Sequence, residues 1–194
     1  MGRPREFDHE TVLDRAGQLF WRQGYEAVSV QDLESATGLG RGSLYNAFGD
    51  KERLFLAVLE RYVGKYGATP FQHLAAPDVR EGVALMLEAI IRRMGDPANP
   101  RGCLLTNASL GSGSARIDAE VAGKVRDMET MLEAAIGRAR DEGQIPADTD
   151  VRRLARFYCA VSQSLGVMHK ANGDVEELRD IARAAMSAWP PAAN

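Results

Sequence analysis

A chain of 194 residues with 45% apolar and 26% charged residues is long enough for one or two hydrophobic cores, and it lies outside the compositions of disordered and fibrous chains. No apolar run approaches the roughly 20 residues that cross a bilayer, and the N-terminus lacks the parts of a secretory signal. Cys103 and Cys159 are too few and too far apart for a disulfide framework or a CxxC site, so a cytoplasmic chain with reduced thiols and no membrane partner is expected. The net charge of −3, with nine Lys/Arg against ten Asp/Glu in residues 1–65, removes bulk basicity as an argument for nucleic-acid binding. Any such reading has to rest on where individual charges point.

Over residues 9–24 Val12, Leu13, Ala16, Leu19 and Phe20 recur at helical spacing, and Gly24 ends the helix. Ser29 and Asp32 then have the spacing of a capping box, with Asp in place of Glu, opening a short helix whose Val30, Leu33 and Ala36 face inward. Gly38-Leu39-Gly40 breaks it. A second short helix carries Leu44, Tyr45 and Phe48, and Asp50 is the N-cap of a longer one with Leu54, Phe55, Val58, Leu59 and Tyr62. Gly64, Gly67 and Pro70 are expected to close that helix. Helical periodicity continues over 79–94, 104–110, 115–142, 150–170 and 175–189, punctuated by Gly95-Asp96-Pro97, Gly111-Ser112-Gly113, Gly143 and Asn172-Gly173. The expected fold class is all-α, with about nine helices.

Two short helices joined by a Gly-containing turn form a helix-turn-helix, whose second helix enters the major groove with its N-terminal residues toward base edges. Gly38 is placed to take the left-handed conformation that reverses the chain. Gly42 strips bulk from the first turn of the second helix. Arg41 can present a fork to a guanine edge or a phosphate, and Asn46 can pair with adenine. A plain helical corner with solvated polar residues has the same pattern.

The stretch "TVLDRAGQLFWRQGYEAVSVQDLESATGLGRGSLYNAFGDKERLF" resembles the DNA-binding domain of the TetR family of bacterial one-component regulators. The likeness rests on Phe20 through Gly24-Tyr25, Ala36-Thr37-Gly38, Gly42-Ser43-Leu44-Tyr45, Phe48 and Lys51-Glu52. It implies Ser29, Tyr45 and Lys51 at phosphates, Arg41, Gly42 and Asn46 at or near the groove, and Gln31 and Ser43 in the same DNA-contacting set. Gly40, where the family usually has Ser, loses a hydroxyl cap, and Ala47 stands where an aromatic or His is common. The leader Gly2-Arg3-Pro4-Arg5 resembles the family's short basic arm, whose Arg3 and Arg5 can enter a minor groove or sit on phosphates; a solvated terminus is the alternative. The resemblance implies residues 1–50 as the DNA-binding domain, 51–68 as a connecting helix, and 69–194 as a ligand-binding and dimerisation bundle. The implied partners are a (pseudo)palindromic double-stranded operator, a small-molecule or electrophile effector and a second copy of the chain.

In the C-terminal part, the family layout and the apolar residues of the last two helices place the dimer interface at Leu154, Tyr158, Val161, Leu165, Leu178, Ile181 and Ala185; an internal core is the alternative. Candidate ligand contacts are Met86, Cys103, Thr106, Asn107, Met128, Met131, Phe157, Cys159, Gln163 and His169. The segment "NPRGCLLTNASLG" resembles a subset of the family with Gly-Cys-Leu at this place, some of which sense electrophiles or oxidants. A helix start and Arg101 would both favour a Cys103 thiolate, whereas a small buried Cys merely fills space. His9, His73 and His169 have no metal-ligand spacing, no P-loop or G-x-S-x-G is present, and "GLGRGS" follows no strand. Neither an enzyme nor a cofactor is expected. The rival reading is a helical-bundle carrier or scaffold that never binds DNA.

Overall fold

The computed structural model describes residues 8–192, so Arg3 and Arg5 of the expected arm lie outside the described residues. Among the described residues the chain forms α1 (His9–Gln23), α2 (Val30–Thr37), α3 (Arg41–Phe48), α4 (Lys51–Tyr62), α5 (Ala68–Phe71), α6 (Val79–Met94), α7 (Leu104–Ser109), α8 (Ala115–Asp141), α9 (Val151–Ala171) and α10 (Val175–Ser187), with no strand. Asp8, Ser29, Asp50, Asp78, Ser114, Asp150 and Asp174 each precede a helix and accept a hydrogen bond from its first turn, so local sequence fixes most of the starts.

The end of α4 departs from expectation. Gly64 does not close it: the chain winds on through a π turn, Val63–Gly67, in which the Ala68 N–H donates to the Val63 carbonyl five residues back. Pro70 supplies the reason. It has no N–H to give and its ring crowds the carbonyl four residues earlier, at Tyr66, so the α register cannot run straight through and one wider turn absorbs the mismatch.

Two cores organise the helices. The first holds α1 to α4 together through Phe20, Trp21, Val28, Leu33, Leu44 and Phe55, and it draws in Leu104, Leu105 and Ala108 of α7 and Ile117 and Val121 of α8. The second joins α6, α8, α9 and α10 through residues such as Leu87, Ile91, Leu132, Ile136, Tyr158, Leu165 and Leu178. Cys103, Val125 and Met128 pack against both. Helix α7, which lies in the C-terminal part of the sequence and also packs against α8 and α9, thus sends its buried apolar residues into the head core and bridges the two units.

Of the seven residues expected at a dimer interface, five are buried inside the protomer and two are partly buried against its core. Tyr158, Leu165 and Leu178 are fully buried, Val161 and Ala185 are buried beside them, and Leu154 and Ile181 pack against the same core. The Tyr158 hydroxyl donates to the Ala185 carbonyl at 3.1 Å, tying α9 to α10. Helix α9 is apolar on two sides, and it is the other side that faces outward: Phe157, Val167 and Met168 are 39%, 41% and 37% exposed.

Candidate nucleic-acid interface and adjoining cavity

Helix α3, the second helix of the helix-turn-helix, is positioned by three devices. Ser29 and Asp32 form a reciprocal capping box that starts α2. Gly38 ends α2 at φ 75°, ψ 11°, a left-handed position that suits glycine. Gly40 has no side chain with which to cap α3, and Glu34, reaching across from α2, accepts the Arg41 N–H at 2.6 Å instead. The carboxylate thus replaces the missing hydroxyl and pins the two helices together at the turn.

Leu44 anchors α3 in the head core, and the opposite face of the helix is exposed at Arg41, Gly42, Ser43 and Asn46. A methyl added at Gly42 would meet nothing within 4 Å, so the first turn is open to a close approach from outside. The Arg41 guanidinium lies 5.5 Å from the Tyr45 ring centre and forms no ion pair with a described residue. Lys51, at the start of α4, sits 4.4 Å from the centre of the Tyr25 ring. Gln31 is exposed on α2, whereas Ser29 spends both its N–H and its hydroxyl on Asp32.

Above the head, a cavity of about 290 Å³ opens between the α4–α5 segment, α6, α8 and α9, with largely apolar walls that include Phe71, Ile90, Met94, Met128 and Met131. Its polar corner is a chain of three groups. Arg93 of α6 donates to the Tyr62 hydroxyl, and Tyr62 in turn donates to the Cys103 sulfur at 3.3 Å. Burial raises the Cys103 pKa, but the Arg93 charge and donors from Tyr62 and Thr106 outweigh it and hold the thiol below its ordinary value. Tyr62 is pushed well above the usual phenol range, first by burial and then by the facing sulfur. Cys159 is shifted up by burial and by Glu129.

Of the ten ligand candidates, Cys103, Thr106, Met128, Met131 and Gln163 line this cavity. The other five do not. Met86 is fully buried in the second core, and Phe157 faces outward. The Cys159 sulfur lies 3.9 Å from the Val125 carbonyl. His169 accepts the Gly102 N–H at 3.0 Å through Nδ1 and is held below the ordinary histidine range by burial, then by Arg101 and Arg93. Asn107 donates across the seam to the Trp21 carbonyl at 3.2 Å. The cation beside Cys103 is Arg93 rather than Arg101, whose guanidinium packs against Gly173. Sequence reading missed Arg93, Tyr62 and Tyr66, yet Arg93 falls seven residues after Met86 on the apolar stripe of α6, a charge on a buried face that periodicity could have flagged.

A family model described as bacterial regulatory proteins, tetR family, matches residues 12–58, and one described as tetracyclin repressor-like, C-terminal domain, matches residues 81–185. The chain belongs to the TetR family. Among its relatives, the HTH-type transcriptional repressor ComR of Escherichia coli K12 is 33% identical over 97% of this chain and 92% of its own length. The regulator YezE of Bacillus subtilis 168 is 33% identical over 93% and 95%. The TetR-family regulator CifR, solved as a cysteine-substituted variant complexed with 26-bp double-strand operator DNA, is 36% identical with a TM-score of 0.91 over 97% of this chain and 100% of that one. This chain is accordingly a DNA-binding transcriptional regulator and not an enzyme. None of its described helices is long and apolar enough to cross a membrane.

Proposed function

We propose that the protein is a cytoplasmic homodimeric repressor that holds a (pseudo)palindromic operator through two copies of α3 and releases it when a small molecule occupies the cavity. The observation that carries this reading is α3 itself: one face is anchored by Leu44, and the other presents Arg41, Ser43 and Asn46 with an open first turn at Gly42. Such a face is suited to base edges and phosphates. The outward apolar side of α9 supports a second copy as the partner, which would set two heads for grooves one helical turn, ~34–36 Å, apart. Residues 1–50 would form the DNA-binding unit and 69–194 the sensing and dimerising one. An effector shifts the balance only if it fits the DNA-bound and DNA-free forms differently.

Arg41→Ala is expected to weaken operator binding by about 1–3 kcal/mol per lost bidentate base contact and to relax sequence preference at the contacted position. Lys51→Ala should weaken all duplexes alike and flatten the salt dependence. Gel-shift titrations on a selected operator and on random duplex separate the two. Unchanged affinity and preference in Arg41→Ala would remove α3 from the groove.

The Arg93–Tyr62–Cys103 chain also supports an electrophile as effector. Because the thiolate is the reacting form, Cys103 should reach its maximal alkylation rate with iodoacetamide at a lower pH than Cys159. Peptide mass spectrometry across a pH series reads both sites. Operator release on alkylation of the wild type, absent in Cys103→Ser, would make Cys103 the sensor; alkylation of Cys103 without release would return it to packing.

A further inference from the structure

We propose that the cavity takes an organic monocarboxylate, its carboxylate on Arg93 and Tyr62 and its apolar body along Phe71, Ile90, Met94 and Met128. The inference rests on the reading of this cavity as the effector site and specifies the ligand's chemistry. Arg93 lines the cavity from the buried stripe of α6, and its Nε is buried without a hydrogen-bond partner. A guanidinium carries five donors and cannot shed its charge, so unpaired burial is costly.

No acidic side chain among the described residues comes within ion-pair distance of Arg93. The other cation on the cavity wall, Lys124, is already committed to Glu60 and Glu120. Arg93 instead rests 5.7 Å and 6.0 Å from the ring centres of Tyr62 and Tyr66, donates to the Tyr62 hydroxyl and faces the Cys103 sulfur, whose thiol its charge holds down. Two aromatic faces and one thiol sulfur are a weaker counter-charge for a guanidinium than a carboxylate. A planar carboxylate matches its fork and would meet the unused donors directly. Beyond this corner Phe71, Ile90, Met94 and Met128 make apolar wall, and Lys124, the other cation there, is already paired with Glu60 and Glu120 beside Asp127, so a second carboxylate is disfavoured.

A bound carboxylate would also compete with the Cys103 sulfur for Arg93. Removing the sulfur's acidity should therefore tighten carboxylate binding, which a merely apolar pocket would not show.

The test is isothermal titration of the full chain with octanoate, octanamide and octan-1-ol, which share an apolar body and differ in the head group, extended to butanoate, decanoate and benzoate. Octanoate is expected to bind roughly tenfold or more tighter than either neutral analogue, as a charge-assisted bidentate contact should. Arg93→Gln should bring the three within about twofold, Arg93→Lys should keep part of the preference, and Cys103→Ser should increase octanoate affinity severalfold. Equal binding of octanoate and octanamide to the wild type, or no binding by any acid of the series, overturns the proposal. Operator release, followed in parallel, tests the underlying reading separately. Arg93-dependent binding that leaves the operator bound sinks the effector site and keeps the carboxylate, whereas release by the neutral analogues alone does the reverse.

Discussion

Leu165→Arg is expected to leave the chain unfolded, and Phe157→Arg to leave it folded but monomeric, although both positions lie on α9. Leu165 has no exposed surface and packs inside the second core, in a wall that includes Ile91, Leu132 and Leu178. A guanidinium there would be buried with no acidic partner, at a cost of several kcal/mol against the ~5–15 kcal/mol that holds an ordinary domain together. Phe157 is 39% exposed, so an Arg in its place can reach water and the protomer loses little. On a two-fold interface the same residue meets its own symmetry mate or near neighbours, and the substitution sets like charges against a surface that has to be dry. Circular dichroism with sedimentation separates the outcomes. The Phe157→Arg monomer should also bind the operator more weakly, because linked heads gain from a high effective concentration at the second half-site. A folded Leu165→Arg protein would mean that the second core opens at that point, and a dimeric Phe157→Arg protein would move the interface off this face.

That contrast also shows how far the sequence could be read. Helix starts were legible because they are local: Ser29 with Asp32, and Asp50 with Arg53, satisfy the first N–H groups of α2 and α4 with residues three positions away. The turn at Gly38 was legible for the same reason. What periodicity could not settle was which of two apolar faces of α9 turns inward, since Tyr158 and Leu165 on one side and Phe157 and Met168 on the other are equally hydrophobic. That choice is made by α6, α8 and α10, elements distant in sequence. The cap on α3 was hidden likewise, because Glu34 acts seven residues away from Arg41 and across a turn.

The site divides along the same line. Arg41, Ser43 and Asn46 follow from the register of one short helix about Leu44, so their outward placement needed only local structure. The cavity corner joins Tyr62 of α4, Arg93 of α6 and Cys103 before α7, and its three members are brought together only by the meeting of the two cores. Cys103 stood out by its type and its neighbours, but the cation that tunes it lies ten residues from it, at the end of α6. Sequence adjacency favoured Arg101 and the fold chose Arg93.

The seam between the cores gives the second large effect. Gly166→Leu is expected to destabilise the protein by about 3 kcal/mol, the top of the usual ~1–3 kcal/mol range for overpacking, and to lower operator affinity about tenfold or more. A side chain at Gly166 would put its first carbon 2.9 Å from the Thr106 hydroxyl and 3.0 Å from the Cys103 Cβ, so α7 and α9 cannot keep their present separation. Helix α9 spans 21 residues and is fixed to α10 by the Tyr158 hydroxyl, while α7 has only six residues, so α7 is the element that gives way. It cannot move alone. Leu104, Leu105 and Ala108 are part of the head core, and Asn107 holds the Trp21 carbonyl near the end of α1. Displacing α7 therefore displaces the head on which α3 is mounted, by the route a cavity ligand touching Cys103 and Thr106 would use. Gly123→Ala is the control, because the nearest atom a methyl there meets is the Arg126 guanidinium at 3.9 Å, and it should be neutral or slightly stabilising. Melting curves and gel shifts on the two variants decide the matter: a Gly166→Leu protein with a lowered Tm but wild-type operator affinity would show that strain at the start of α7 is absorbed before it reaches the head.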